Sequence, residues 1–299
     1  MTAAPTLHFC TDPDEFLAAA EAYLAADPVI NTVVASVTRR MAARRAEGVA
    51  LPEDDWWLVV RDGSGAVVGA AMRTAPFPPR PAFLLPMPPE AAVALARAWH
   101  RRGERIRAVN GALPAARACA DEVARLDGGR VEVGQHTRLH VLDQLAPPAP
   151  VPGALRAAGP DEVDLVAAWF GAFTADADEQ AGRPPGTSAH ETPDRAELLR
   201  RIRDGRVWFW TDGSGVPVHL TAANPPSFGV ARVGPVYTPP EQRGRGWAGN
   251  AVAGVCGLLT AEGARVCLFT DQANPVSNRL YAGLGFRPVV DMANLVLTD

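Results

Sequence analysis

The stretch PVYTPPEQRGRGWAGNAVAGV, Pro235 to Val255, decides how the second half of the chain is read. Two prolines precede two arginines alternating with two glycines, and an apolar repeat follows. Ala251, Val252, Val255, Leu258 and Leu259 share one helical face, and Gly263 is placed to end that helix. Upstream, GVARVGPVYT is a β-type run whose Gly234-Pro235 pair predicts a bulge or a strand end. The order is therefore strand, glycine-rich turn, helix. The first N–H groups of a helix lack internal partners and the macrodipole adds partial positive charge, so such a turn is suited to an anion. Gly244 and Gly246 permit positive φ and close approach of a ligand, and Arg243 and Arg245 offer charge-assisted bonds to phosphate oxygens. No GK[ST] follows and the spacing is not GxGxxG, which excludes a triphosphate P-loop and the dinucleotide fingerprint. From these residues alone, a solvated basic turn ahead of a core helix fits equally well.

Working outward, ARVCLFT (Ala264 to Thr270) reads as a short buried strand. NPVSNRLYAGLGF reads as a helix starting at Asn274-Pro275 and ending at Gly283 or Gly285, and PVVDMANLVL as a closing strand. Before the loop, DEVDLVAAWFGAF carries Val163, Val166, Ala167 and Phe170 at helical spacing, and DRAELLRRIRDG predicts a second helix with a glycine stop. Strands alternating with helices predict an α/β fold, a mixed sheet with helices packed on it.

Near the midpoint, APPAPVPG (Ala146 to Gly153) places four prolines in eight residues, an extended connector by composition. The two sides share a pattern. WWLVVRDGSGAVVGAAM (from Trp56) and VWFWTDGSGVPVHLTAA (from Val207) are both hairpins around DGSG, with Asp62 and Asp212 offset by 212 − 62 = 150. PPE recurs at Pro88 and Pro239, an offset of 239 − 88 = 151. The expectation is two similarly folded halves, residues 1–146 and 154–299, joined by a linker at 147–153.

RGRGWA (Arg243 to Ala248) resembles the Q/R-x-x-G-x-G/A signature of the GNAT superfamily of N-acetyltransferases, and NPVSNRLYAGLGF resembles that family's second motif. The resemblance covers the C-terminal half in order and spacing. It implies tandem mixed-sheet domains whose C-terminal member splays its strands after ARVGPVYT to admit acetyl-CoA as co-substrate, without a metal. It implies that Val236, Tyr237 and Thr238 hold the pantetheine arm. Arg243, Gly244, Arg245, Gly246, Trp247 and Ala248 would wrap the pyrophosphate, with Trp247 standing where an aliphatic residue is usual. Asn274 would bond the cofactor arm, Asn278 would reach it too, and Tyr281 would protonate the leaving thiolate. Asn274 and Tyr281, seven residues apart, lie on one helical face. Read without the family, Asn274 is a plain helix cap and Tyr281 a core aromatic.

A general base is not singled out. Asp176, Asp178, Glu179 and Glu191 sit in FTADADEQAGRPPGTSAHETPD, read as a polar binding loop, and His190 and His219 are further candidates. The acidic loop favours a cationic amine, small molecule or peptide, as acceptor. In the N-terminal half, PPEAAVALARAWHRRG has no glycines where a phosphate would lie, and aligning Pro114 on Pro275 sets Ala120 against Tyr281. That half is expected to be a degenerate copy.

The chain has 299 residues, 47% of them hydrophobic, enough for more than one core. A net charge of −4 argues against nucleic acid. Cys10, Cys119, Cys256 and Cys267 are scattered without CxxC or CxxxH spacing, so neither a disulfide framework nor a zinc site is expected. No apolar run reaches the roughly 20 residues that span a bilayer, and the start has no signal-like pattern, which together predict a cytoplasmic protein. Two function classes follow: an acetyl-CoA-dependent N-acetyltransferase acting on a primary amine through its C-terminal half, or a non-catalytic acyl-CoA-binding module. The oligomeric state stays open.

Overall fold

In the computed structural model, residues 4–180 and 193–299 are described. The chain divides into two compact units. Unit 1 is Met1–Thr137 with Val290–Asp299, and unit 2 is Arg138–Val289.

Unit 1 contains β1 (Thr6–Cys10), α1 (Pro13–Ala26), α2 (Thr32–Ala46), β2 (Trp56–Arg61), β3 (Val67–Arg73) and β4 (Ala82–Leu84). It continues through α3 (Pro89–Arg101), β5 (Ala108–Ala112), α4 (Ala115–Asp127) and the first part of β6 (Arg130–Leu142). Its strands run in the order β1-β2-β3-β4-β5, after which comes the end of β12 (Phe286–Thr298) and then β6. Leu84, Leu95, Trp99 and Val109 centre its core, and Ala293, Leu295 and Leu297 of the last strand complete it.

Unit 2 contains the end of β6, β7 (Ala154–Ala157), α5 (Val163–Gln180), α6 (Arg195–Arg203), β8 (Val207–Thr211) and β9 (Pro217–Ala223). Then come β10 (Val230–Tyr237), α7 (Trp247–Ala261), β11 (Arg265–Asp271), α8 (Pro275–Gly283) and the start of β12. The order is β6-β11-β10-β9-β8-β7. Only β10 and β11 pair parallel in the register described for this unit; β7–β8, β8–β9 and β9–β10 are antiparallel.

The unit boundaries differ from the expected 1–146 and 154–299 in two respects. The closing strand is longer than PVVDMANLVL and changes unit within itself: Met292 to Val296 pair with Ala112 to Ala108 of unit 1. The proline segment 147–153 belongs to unit 2, where the Pro152 carbonyl accepts from Trp210 Nε1 at 3.1 Å and the Ala149 carbonyl from Asn250 Nδ2 at 3.1 Å. Proline lacks an N–H but keeps a carbonyl, so this extended run is held through its acceptors.

The repeated DGSG turns are alike in atomic detail. Asp62 Oδ1 accepts from the N–H groups of Ser64 at 2.9 Å and Ala66 at 3.1 Å. Asp212 Oδ1 accepts from Ser214 at 2.9 Å and Val216 at 3.0 Å. The aspartate side chain replaces a backbone acceptor, which is why this residue starts both turns. A second departure concerns the acidic stretch. Helix α5 runs on to Gln180, so Asp176, Asp178 and Glu179 are helical rather than in a loop. Alanine alternates with acids there, nothing in the run breaks a helix, and glycine enters only at Gly182.

Candidate functional site

The site is assembled within unit 2, where β10 and β11 part. Their parallel register runs from Val230–Arg265 to Val233–Leu268 and stops there, although β10 continues to Tyr237 and β11 to Asp271. Gly234, at φ 151°, and Pro235 carry a bulge against β9 at that point. The parting therefore begins before Pro235-Val-Tyr-Thr rather than after it, because proline has no N–H to give a central ladder. Val236 and Tyr237 still pair with Thr221 and Leu220 of β9, leaving their other edge towards the gap.

A 3-10 turn at Pro240–Gln242 leads into the loop. Gly244 and Gly246 have φ of 75° and 80°, and Gly246 caps α7 with no side chain bonding the free N–H groups of the first turn. A glycine cap in the left-handed region leaves those donors open to a ligand. Trp247 is buried among Trp210, Val218 and Ala251, and the Arg245 guanidinium lies 5.2 Å from its ring centroid. Ala251, Val252, Val255 and Leu259 are buried as expected, whereas Leu258 is 46% exposed.

The two arginines are held by the protein. Arg243 Nε donates to the Thr238 carbonyl at 3.1 Å, and its Nη2 donates to Asp176 Oδ2 on α5 at 2.5 Å. Arg245 Nη2 donates to the Glu241 carbonyl at 3.3 Å. Asp176 also accepts from the Tyr237 hydroxyl; burial, then Asp176, pushes that phenol up to about 12. Asp176 thus ties α5 to the loop. Asp178 is buried and Glu179 exposed on the same helix. Glu191 and His190 lie outside the described residues.

His219 on β9 is fully buried, with Nδ1 2.7 Å from Thr238 Oγ1 and Nε2 2.8 Å from Thr221 Oγ1. Desolvation pushes its pKa down to about 3, which makes it a weak base at neutral pH. The folded state resists protonating this ring, so stability is full above the ordinary value of 6.5 and is lost as pH falls toward 3. Between pH 7 and pH 5 the wild type is expected to lose about 2 kcal/mol that His219→Gln does not lose. Urea denaturation at the two pH values checks this.

Asn274 caps α8, its Oδ1 accepting from Val276 and Ser277 N–H at 3.1 Å each. Asn278 Nδ2 donates to the carbonyls of Asp271 at 3.0 Å and Gln272 at 3.3 Å, closing the β11–α8 turn. Tyr281, two turns along the chain from Asn274, is buried 5.8 Å from Phe286 between ring centroids, in one apolar cluster with Val233 and Leu268. That cluster holds the last residue pair before the strands part. Burial, then the neighbouring Cys256, pushes the Tyr281 hydroxyl above its ordinary value, so it stays protonated.

Residues 222–294, from the end of β9 through the loop, α7, β11 and α8 into β12, match the family of FR47-like proteins. Solved structures match the chain end to end. A GCN5-related N-acetyltransferase from Sphaerobacter thermophilus is 17% identical with a TM-score of 0.60, over 98% of this chain and 96% of that one. The fold is that of the GNAT acetyltransferases. A GNAT-family acetyltransferase from Colwellia psychrerythraea (10% identity, TM-score 0.56) covers 98% of this chain and all of that one. A tandem GNAT protein from the clavulanic acid biosynthesis pathway (18% identity, TM-score 0.52) covers 98% of each chain. No curated protein matches the sequence.

Unit 1 repeats the strand order of unit 2, but its counterpart of β10 is cut short. Its parallel pair, β4 and β5, stays in register to the last residue of β4, Leu84 opposite Gly111. Helix α3 starts directly at the first PPE, with Pro88 at its cap and Pro89 following, so the N–H that Trp247 offers at the first position of α7 is absent there. Met87 folds over Gly69, where a Cβ would come within 2.5 Å of the methionine Cβ. Ala120 is buried in the core of this unit. A Cβ on Gly111, at φ 145°, would approach the Leu84 carbonyl oxygen to 2.1 Å. Gly111→Ala is therefore expected to destabilise unit 1 by about 3 kcal/mol or more, seen as a lowered midpoint in thermal denaturation.

Proposed function

We propose that unit 2 is an acetyl-CoA-dependent N-acetyltransferase acting on a primary amine. The observation that carries the reading is the burial of Tyr281 in the same cluster as Val233 and Leu268, directly below the point where β10 and β11 part. The residues present fit the co-substrate: a parted strand edge for an extended arm, and open helix N–H groups for a pyrophosphate.

Bound acetyl-CoA supplies an acetyl group activated as a thioester. The free edge of β10 from Gly234 to Thr238 holds the arm, and the N–H groups from Gly244 to Ala248 hold the pyrophosphate. As the amine nitrogen bonds to the acetyl carbon and the C–S bond breaks, Tyr281 gives its hydroxyl proton to the departing sulfur. It regains a proton from the ammonium group through solvent. A phenol kept neutral by burial still carries its proton when the sulfur departs. Asn274 shapes the start of α8 beneath the arm as its cap. Arg243 is held by Asp176, so its part in binding the pyrophosphate requires exchanging one anion for another. Glu179 and Asp176 give the α5 side an acidic character that favours a cationic acceptor.

The test is release of free thiol from acetyl-CoA in the presence of polyamines, aminoglycosides, amino acids and peptide N-termini. Release that depends on one amine class supports the reading. Saturable binding with no release from any class would make unit 2 an acyl-CoA-binding module instead.

A further inference from the structure

We propose that unit 1 carries a metal site of the zinc class formed by His8, Cys10 and Glu15, independent of the acyl-transfer chemistry. His8 and Cys10 are two apart on β1 and so point to one side of the sheet, while Leu7 and Phe9 pack into the core on the other. Helix α1 lies against that first side and presents Glu15 in its opening turn. The donor atoms of the three residues all lie within 4.8 Å of one another, and His8 Nε2 is already 3.1 Å from Glu15 Oε1.

Bonds of about 2.0–2.3 Å in a tetrahedral site require ligand atoms roughly 3.3–3.8 Å apart, so a small rotation of the exposed His8 and Glu15 side chains closes the set. Imidazole nitrogen, sulfur and carboxylate oxygen together suit zinc or cobalt rather than magnesium or calcium. Three protein ligands leave a fourth position for water on the solvent side, where His8 and Glu15 are about half exposed.

The surrounding charge favours a cation. Asp12 lies on the turn between the ligands, and the nearby Arg45 is engaged by Asp12 at 2.7 Å and by Asp14 at 3.5 Å. Binding displaces the thiol proton to solvent. Motif spacing could not reveal this site, because its ligands come from strand alternation and the next helix rather than from a CxxC or CxxxH run.

The experiment is titration of the reduced full-length chain with Co2+, followed by absorption. One equivalent per chain with thiolate-to-cobalt charge-transfer intensity is expected. That intensity disappears in Cys10→Ser, and affinity drops by about tenfold or more in His8→Ala and in Glu15→Gln. The last two positions are half exposed, so their folding is expected to survive, and thermal scans without metal establish it. No charge-transfer band at saturating Co2+, a band that survives Cys10→Ser, or unchanged affinity in both surface variants would overturn the proposal.

Discussion

Tyr281→Phe is expected to bind acetyl-CoA as the parent does and to turn over about a hundredfold more slowly. The ring accounts for the packing. It lies edge-on to Phe286 at 5.8 Å between centroids, within a cluster that includes Val233, Val252 and Leu268, and phenylalanine preserves all of that contact. What is lost is one proton donor beneath the parted strands. A general acid contributes at the transition state rather than to ground-state binding, so the effect falls on kcat with little change in the dissociation constant. Because burial keeps this phenol protonated, the parent should show no alkaline decline attributable to Tyr281 through pH 9; its rate should rise with pH as the acceptor amine loses its proton. Steady-state rates with calorimetric affinities for both proteins check the split. Equal turnover in the two would remove Tyr281 from the chemistry.

Gly246→Val is expected to weaken CoA binding by about ten- to a hundredfold. Gly246 caps α7 at φ 80°, a conformation that a β-branched residue adopts only with strain of about 1–3 kcal/mol. A Cβ at this position would also stand 3.0 Å from Val151 Cγ1 of the proline segment. The loop must shift to relieve both, and the open N–H groups at the start of the helix move with it. Losing one or two charge-assisted bonds of about 1.5–3 kcal/mol accounts for the expected decrease. Gly257→Val, on the same helix with open space around the glycine, controls for a general effect on α7. Affinity unchanged by Gly246→Val would place the pyrophosphate elsewhere.

Local chemistry is what the sequence expresses best. Both DGSG turns, the Asn274 cap and the glycine cap of α7 are legible because each depends on residues within four positions of one another. Partners distant in sequence are harder to see. Nothing in PVVDMANLVL shows that Met292 pairs with Ala112, since alternation fixes which side chains share a face and not which strand lies alongside. The same reason hides the tie between Arg243 and Asp176, 67 positions apart, which turns an expected phosphate ligand into half of an ion pair. Leu258 matched the helical period yet is exposed, because five apolar positions make a stripe wider than the face α7 buries. The acidic end of α5 was misleading through composition: alanine and glutamate carried the helix past the point where polarity implied a loop. The missing glycines of unit 1 were visible in its sequence, while the early end of β4 at Leu84, opposite Gly111, required the register of two strands.

The most direct test of the account is the stoichiometry of acetyl-CoA binding, measured by calorimetric titration of the full-length protein. The two units share one strand order, but only in unit 2 does the strand run on past its parallel pairing and a glycine rather than a pair of prolines start the following helix. The predicted result is one acetyl-CoA per chain, with binding weakened by Gly246→Val. Two per chain would mean that the short β4 and the proline start of α3 in unit 1 do not exclude the co-substrate, and none would contradict the assignment of unit 2 itself.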